Sequence, residues 1–182
     1  MKLVILDRDG VINADSDRFI KSPEEWHAIP GSLEAIATLN QNGYRVVIAT
    51  NQSGIGRGLL DMAAFNAIND KLTSQLAQAG GRIDAIFYCP HAADTHCKCR
   101  KPLPGMLHEI GRRFNSDLKD LPAIGDSLRD LQAAHAVGAL PILVKTGKGK
   151  LTLEEGELPE PTIVFDDLAA AARHLTSEPM RT

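Results

Sequence analysis

Residues 2–10 read KLVILDRDG, a short apolar run with β-branched members that ends in two aspartates. Such a run is typical of a central parallel strand that is covered on both faces. Ligands in open α/β sheets bind beyond the carboxyl ends of these strands, so Asp7 and Asp9 occupy a position where chemistry is expected. A turn built on the Asp-Gly pair is the alternative interpretation. The segment predicts an α/β fold with a site after the first strand.

Further apolar runs alternate with helical patterns along the chain. The predicted strands are residues 2–6, 44–49, 85–88, 121–124, 141–144 and 162–164. The predicted helices are residues 32–41, 62–79, 104–114, 128–137 and 168–175. This alternation is typical of βαβ units in a parallel sheet. We therefore predict a Rossmann-like, three-layer α/β/α fold with a mainly parallel sheet and no large cap domain.

The length of 182 residues predicts one domain over residues 1–182. The net charge of −3 and the scattered basic residues argue against a nucleic-acid partner. No stretch approaches the roughly eighteen apolar residues that span a bilayer, and Asp7 comes too early for a signal-peptide core. We expect a cytoplasmic monomer without a membrane or nucleic-acid partner. Residues 177–182 are expected to be flexible, and residues 147–161 to form a polar surface connection without a part in the chemistry.

The second predicted strand runs into TNQSGIGRG, residues 50–58. A hydroxyl at a strand end, followed by a loop of small residues with accessible backbone N–H groups, suits an oxyanion such as phosphate. A glycine-rich turn without a ligand is the alternative interpretation. The position of Thr50 at the end of the next strand along the chain favours the phosphate interpretation.

All three cysteines lie in one short segment with a histidine between them. Cys89, His91, Cys97 and Cys99 form a Cys3His set, which is a standard closed tetrahedral zinc site. His96 is an alternative nitrogen ligand, although the pairing of C-x-H with C-x-C favours His91. Because four protein ligands leave no open coordination position, this residue pattern predicts a structural zinc in a loop over residues 89–99.

Charged residues follow the zinc loop and the fourth predicted strand. Arg100 offers a planar fork for phosphate oxygens and Lys101 a compact charge, although adjacent basic residues are often only a solvated surface pair. Residues 125–130 read GDSLRD, in which Asp126 is a natural Mg²⁺ ligand at a strand end. Asp130 is interpreted equally well as an outer partner of the metal ligands or as a helix-start carboxylate that caps with Ser127.

In this order, D-x-D-G at residues 7–10, Thr50, Lys101 and G-D-x-x-x-D at residues 125–130 resemble the haloacid dehalogenase superfamily of phosphotransferases. The resemblance covers nearly the whole chain. It implies that Asp7 is a nucleophile that forms an aspartyl-phosphate, and that Asp9 is the general acid and base.

The same resemblance implies the remaining catalytic parts. Mg²⁺ would be held by Asp7, the main-chain carbonyl of Asp9 and Asp126. Thr50, Arg100 and Lys101 would stabilise the transferring phosphoryl group, because a carboxylate that attacks a phosphate dianion faces charge repulsion.

The zinc loop and the strings LDRDGVIN, TNQSGIGRG, CRKPLPGM and GDSLRD are similar to the heptose-bisphosphate phosphatase family, in a small capless branch that also contains histidinol-phosphate phosphatases. This implies removal of the C7 phosphate of D-glycero-D-manno-heptose 1,7-bisphosphate on the route to ADP- or GDP-heptose for lipopolysaccharide. The partner is then a small phosphorylated sugar. The residues matching the substrate loops are Asp15, Ser16, Asp17, Arg18, Asn51, Gln52 and Ser53, with Arg57 as a further contact.

Two alternatives stay open at this level. Histidinol phosphate would need the same catalytic residues, with Asp15 or Asp17 for its amine or imidazole, whereas a bisphosphate would use Arg18 and Arg57 at its second phosphate. The other alternative is a non-catalytic phosphosugar-binding protein. The chain departs from many relatives in having Ser127, where they carry Lys, and Arg129 is not expected to compensate for it because of its position on the helix.

Overall fold

The computed structural model describes residues 2–177, which form a six-stranded parallel sheet between helices. The strands are β1 (Lys2–Leu6), β2 (Tyr44–Asn51), β3 (Ala85–Cys89), β4 (Pro122–Gly125), β5 (Leu140–Val144) and β6 (Ile163–Phe165). The helices are α1 (Ser32–Gln41), α2 (Ser53–Gly56), α3 (Met62–Gln78), α4 (Gly105–Phe114), α5 (Leu128–Ala136), α6 (Gly149–Glu155) and α7 (Leu168–Ser177). A 3₁₀ turn spans Pro23–Glu25. The predicted fold class is confirmed.

The strand order is β3-β2-β1-β4-β5-β6. The chain thus adds β2 and β3 on one side of β1, and then reverses to add β4, β5 and β6 on the other side. Leu6 lies opposite Ile48 of β2 and Ile124 of β4, and the Asp7 N–H donates to the Ile124 carbonyl at 2.9 Å. The carboxyl ends of β1 and β4 therefore lie within one residue of each other, and β2 continues three residues beyond Ile48. In doubly wound sheets the ligand crevice opens at this reversal.

The core fills both faces of the sheet, as the continuous apolar runs of β1 and β2 require. Val4 and Leu6 of β1 pack on one face with α1, α3 and α7, whereas Leu3 and Ile5 pack on the other with α4 and α5. Complete burial of a leucine or isoleucine side chain stabilises the fold by roughly 1.5–3 kcal/mol. Because successive residues of β1 are buried on opposite faces of the sheet, helices cover both faces and the fold has three layers. The same packing anchors the start of the loop that carries Asp7.

The structure corrects the description of residues 147–161 as a surface connection without a part in the chemistry. This segment contains α6, and its first residues contact Asp126. The glycine-rich segment after β2 also forms a short helix, α2, that was not predicted. Of the expected flexible tail, Ser177 ends α7 and residues 178–182 lie outside the described residues. No helix within residues 2–177 combines the length and the apolar character needed to cross a membrane.

Candidate active site

A cleft of about 590 Å³ opens beyond the carboxyl ends of the central strands. Among the residues proposed from the sequence for catalysis, magnesium and substrate, those that line it are Asp7, Asp9, Asp15, Ser16, Asp17, Thr50, Asn51, Gln52, Ser53, Arg57, Arg100, Lys101, Asp126 and Asp130. Arg18 is not part of the lining. Segments far apart in the sequence thus meet because parallel strands present their carboxyl ends at one edge.

Three carboxylates meet at the centre of this cleft. One oxygen each from Asp7, Asp126 and Asp130 lies within 4.8 Å of the others. Burial raises the pKa of Asp7 to about 7, with help from the charges of Asp130 and Asp9 and against the effect of Lys101. Burial and the charges of Asp7 and Asp130 likewise raise the pKa of Asp126 to about 8. The raised pKa values reflect burial and, in addition, the repulsion between the carboxylates when they are ionised. A divalent cation would offset this repulsion, and carboxylate oxygens are ligands that Mg²⁺ prefers.

Lys101 is the cation at the base of this cluster, and its side chain is only 4% exposed. Its Nζ lies 2.7 Å from Asp130 Oδ1 and 3.2 Å from Asp7 Oδ1, and it donates to the Ala49 carbonyl at 2.6 Å. Burial lowers the pKa of Lys101, but the two carboxylates outweigh this effect and raise it overall. Lys101 is therefore held charged beside the Asp7 carboxylate.

Asp130 makes the helix-start contacts that were one of its two interpretations from the sequence, and it also pairs with Lys101. Its Oδ2 accepts hydrogen bonds from the Ser127 backbone N–H at 3.0 Å and from the Ser127 hydroxyl at 2.7 Å, which caps the start of α5. Its Oδ1 pairs with Lys101. Burial raises the pKa of Asp130, yet Lys101 and the Ser127 bonds lower it overall. Asp130 is thus a charged helix-start residue that also holds Lys101 in place.

Asp126 is held by backbone that approaches it closely. A Cβ at Gly10 or Gly147, both with positive φ, would lie within 2.2 Å of Asp126 Oδ2, so the approach requires glycine at both positions. The Lys148 N–H donates to the same oxygen at 2.8 Å, and the Thr152 hydroxyl donates to the Asp126 carbonyl at 2.8 Å. The start of α6 therefore fixes the orientation of Asp126.

Asp9 has a different environment from the other carboxylates. Its Oδ1 accepts from Arg8 Nε at 3.0 Å and Asn13 Nδ2 at 2.9 Å, and its Oδ2 accepts from Gln52 Nε2 at 2.9 Å and Arg8 Nη2 at 3.3 Å. Burial raises the pKa of Asp9, but the Arg8 charge and these hydrogen bonds lower it overall. The carboxylate is therefore ionised in this arrangement, and its direction is fixed.

The residues after β2 support their neighbours as well as lining the cleft. Asn51 exchanges two 3.0 Å hydrogen bonds with the backbone N–H and carbonyl of Lys101. Gln52 Nε2 donates to the buried Thr50 hydroxyl oxygen at 3.0 Å in addition to Asp9. Both amides therefore hold catalytic candidates in position, a function that was not predicted for them.

Basic groups from several segments also line the cleft. Arg100 has a buried Nη1 without a hydrogen-bond partner among the described residues, which suits an anion in the cleft. Arg57 lies over the Phe19 ring at 5.6 Å. Arg129 and Lys148 also line the cleft, although neither was proposed from the sequence as a site residue. Lys148 Nζ lies 3.6 Å from Asp15 and 3.9 Å from Asp17.

The cysteine segment forms a compact second cluster, in which one ligand atom each from Cys89, His91, Cys97 and Cys99 lies within 4.8 Å of the others. Sγ of Cys89 is 3.1 Å from that of Cys99 and 3.7 Å from that of Cys97, while Nδ1 of His91 is 3.3 Å from Cys99 Sγ. Two sulfurs on a tetrahedral zinc, each at about 2.3 Å, would be about 3.8 Å apart. The four residues therefore fit a zinc ion. His96 is exposed and outside the cluster.

Comparison with known proteins identifies the family. A HAD-hydrolase-like family model matches residues 98–171, and a polynucleotide kinase 3 phosphatase model matches residues 2–128. The chain is 61% identical over 178 residues to the D-glycero-beta-D-manno-heptose-1,7-bisphosphate 7-phosphatase of Bordetella bronchiseptica, with 98% of this chain and 99% of that one covered. The chain belongs to the heptose-1,7-bisphosphate phosphatase family. The protein of the same name from Pseudomonas putida is 55% identical, with 96% and 99% covered.

Solved structures of heptose-1,7-bisphosphate phosphatases support the same relationship. The Bordetella bronchiseptica enzyme, crystallised with magnesium and phosphate, superposes with a TM-score of 0.97 at 61% identity, over 98% of this chain and 100% of that one. The Burkholderia thailandensis enzyme has a TM-score of 0.80 at 54% identity, over 98% and 100%. The resemblance to the haloacid dehalogenase superfamily and to this phosphatase family is thus confirmed.

Proposed function

We propose that the protein is a Mg²⁺-dependent phosphatase that removes the C7 phosphate of D-glycero-β-D-manno-heptose 1,7-bisphosphate on a route to ADP- or GDP-heptose. The observation that carries the proposal is the cluster of Asp7, Asp126 and Asp130 around buried Lys101, in a member of this phosphatase family. The heptose-bisphosphate substrate comes from the names of relatives that match over nearly the full length of the chain.

In the first step, an Asp7 carboxylate oxygen attacks the C7 phosphorus. The bond between phosphorus and the C7 oxygen breaks, and Asp9 gives that oxygen a proton, which it takes up when the negatively charged phosphate binds beside it. The products are an aspartyl-phosphate and the C7 alcohol. Lys101, 3.2 Å from Asp7, and the unpartnered Nη1 of Arg100 supply positive charge for the transferring phosphoryl group.

In the second step, the Asp9 carboxylate takes a proton from water, and the water oxygen attacks phosphorus. The acyl phosphate bond to Asp7 breaks, which regenerates the Asp7 carboxylate and releases inorganic phosphate. Asp9 leaves the first step ionised, which is the form that its four hydrogen bonds favour. The bonds that lower its pKa thus keep Asp9 deprotonated, as the second step requires of the group that accepts the proton of water.

Two metal sites complete the proposal. Asp7, Asp126 and the Asp9 carbonyl would hold Mg²⁺, which neutralises phosphate charge when it is bound. Cys89, His91, Cys97 and Cys99 would hold a structural Zn²⁺. The zinc cluster lies next to Arg100 and Lys101 in the chain, so its role is to fix the loop that delivers these two cations.

Recognition of the second phosphate falls to the other basic groups of the cleft. Arg57, Arg129 and Lys148 line the cleft from three different segments, and no described residue forms an ion pair or hydrogen bond with the Arg129 guanidinium. We propose that Arg129 supplies charge on the side where Ser127 replaces the lysine of many relatives. This replaces the expectation that its helical position would take Arg129 away from the site.

Histidinol phosphate is the rival substrate, because Asp15 and Asp17 line the cleft and suit a cationic group. Comparison of kcat/KM for the two substrates with Mg²⁺ on one preparation tests the proposal. We expect the heptose bisphosphate to be preferred by more than about a hundredfold, which is about 2.7 kcal/mol of transition-state discrimination. A preference for histidinol phosphate would overturn the substrate and retain the mechanism. Absence of turnover with both would overturn the phosphatase proposal.

Three further expectations are part of the proposal. The chain acts as one domain over residues 1–182, as a monomer, and in the cytoplasm without a membrane or nucleic-acid partner. Sedimentation equilibrium of the full chain tests the monomer, and fractionation of cells tests the location.

A further inference from the structure

An arginine lies buried directly behind Asp9. Arg8 is 0% exposed and does not line the cleft, so it cannot touch a bound substrate without rearrangement. Its guanidinium spans the Asp9 carboxylate, with Nε 3.0 Å from Oδ1 and Nη2 3.3 Å from Oδ2. A planar fork on both oxygens restrains the rotation of a carboxylate more than a single point charge does.

The remaining surroundings of Arg8 hold the guanidinium itself. Nη1 lies 3.4 Å from Asn69 Oδ1 of α3, and the Phe65 ring of the same helix lies 5.8 Å from the guanidinium carbon. A buried ion pair adds little to the stability of a fold, because apolar residues of similar volume at the same positions often give equal or higher stability. A fully buried arginine in contact with a cleft carboxylate therefore requires another explanation.

Asp9 receives two donors on each oxygen, since Asn13 and Gln52 complete the set that Arg8 begins. Among residues 2–177, only Arg8 donates to both oxygens. Asn13 bonds Oδ1 and Gln52 bonds Oδ2, so loss of either amide leaves the plane of the carboxylate defined by the guanidinium. The fork is thus the part of the set that fixes the direction of the carboxylate.

We propose that Arg8 is a positioning residue that aims the Asp9 carboxyl group at the leaving oxygen in the first step and at the attacking water in the second. This inference rests on the proposed function. Arg8 donates no proton in either step. Its effect is to keep Asp9 within hydrogen-bond reach of the atoms between which the proton moves.

The leaving group separates this role from a purely structural one. The C7 alkoxide needs the Asp9 proton, whereas nitrophenolate leaves p-nitrophenyl phosphate without one. The ratio kcat/KM covers the steps through the first phosphorus–oxygen cleavage, while kcat also includes hydrolysis of the aspartyl-phosphate. Loss of Asp9 positioning should therefore lower kcat/KM for the heptose bisphosphate alone, and slow aspartyl-phosphate hydrolysis with both substrates.

The test is Arg8→Lys, which keeps the charge and removes the fork. We expect kcat/KM for the heptose bisphosphate to fall by about a hundredfold or more, the usual contribution of general acid catalysis. With p-nitrophenyl phosphate, kcat/KM should change by less than about threefold on the same argument, and a stoichiometric burst of nitrophenolate should precede slow turnover. An equal loss of kcat/KM on both substrates, or no loss on either, would overturn the proposal.

Two further variants control for folding. Phe65→Leu loosens the packing on Arg8 without removing a bond to Asp9, so it should lower stability and leave the ratio of the two kcat/KM values unchanged. Asn69→Ala removes only the partner of Nη1. It should lower kcat/KM for the heptose bisphosphate by less than Arg8→Lys does, and it should again leave kcat/KM for p-nitrophenyl phosphate nearly unchanged. If Arg8→Lys does not fold, an unchanged ratio in Asn69→Ala would count against the proposal.

Failure of the proposed function gives a different result. In that case the wild-type protein would not release phosphate from the heptose bisphosphate. If only the Arg8 proposal fails, the wild-type protein still turns over this substrate, but the loss of kcat/KM in Arg8→Lys does not depend on the leaving group.

Discussion

Replacement of Lys101 by methionine should destabilise the fold as well as impair catalysis. The Lys101 ammonium is buried and lies within 3.2 Å of two carboxylates and the Ala49 carbonyl. Its removal leaves the Asp7 and Asp130 carboxylates buried without their cation. Breaking a buried ion pair by removing one partner costs about 3–5 kcal/mol, so the free energy of unfolding should fall by about that amount.

Urea unfolding in Mg²⁺-free buffer measures this loss. Lys98→Met is the matched control, because Lys98 is an exposed lysine of the same zinc loop and its replacement should change stability by less than about 0.5 kcal/mol. Addition of Asp130→Asn to Lys101→Met removes one of the stranded charges. The double variant should therefore be more stable than the sum of the single effects by about 1–3 kcal/mol.

Two results would contradict this role of Lys101. A loss below about 1 kcal/mol for Lys101→Met would show that the cluster does not depend on the ammonium, because a loss that small is typical of any point substitution. Additive effects in the double variant would show that Lys101 and Asp130 do not interact, despite the 2.7 Å between their side chains.

Three other perturbations test separate parts of the site. Because the pKa values of Asp7 and Asp126 are raised to about 7 and about 8, the folded chain holds protons that the unfolded chain has lost; the Mg²⁺-free free energy of unfolding should therefore fall as pH rises from about 5 to 8. Mg²⁺ should accordingly raise Tm more at about pH 8 than at about pH 6, and an equal or reversed effect in calorimetry would contradict the cluster. Elemental analysis should find about one zinc per chain, and its removal should abolish phosphate release, so a zinc-free active protein would disprove the zinc site. Arg129→Met should reduce the preference for heptose 1,7-bisphosphate over heptose 7-phosphate by about tenfold or more, the value of a charge-assisted hydrogen bond, while Arg113→Met on α4 should not; equal preferences in all three proteins would exclude Arg129 from the second phosphate.

The sheet could be predicted from the sequence because its central strands are short apolar runs that are buried on both faces, and such runs stay apolar whatever structure the loops adopt. The positions of Asp7, Thr50 and Asp126 followed from the same feature, since each comes at the carboxyl end of a strand. Parallel topology then brings these ends together at one edge.

The missed residues lacked such a signal. Lys148 lies in a stretch whose polar, glycine-rich composition is typical of a surface loop, although it follows β5 as the other site residues follow their strands. Arg8 stands between two aspartates, where a basic residue is usually exposed, and only tertiary packing against Phe65 and Asn69 shows its burial. The place of Arg129 in the cleft could be predicted only from the direction of α5 relative to the cleft, and the periodicity of one helix does not give that direction.

The proposed mechanism requires that Asp7 form a covalent aspartyl-phosphate with the C7 phosphate. Rapid acid quench of the enzyme, with Mg²⁺ and heptose bisphosphate carrying a radiolabelled C7 phosphate, tests it most directly. If Asp7 is the nucleophile, label should be bound to the wild-type protein before free phosphate appears, and Asp7→Asn should show neither bound label nor phosphate release. Phosphate release by Asp7→Asn at the wild-type rate would contradict it.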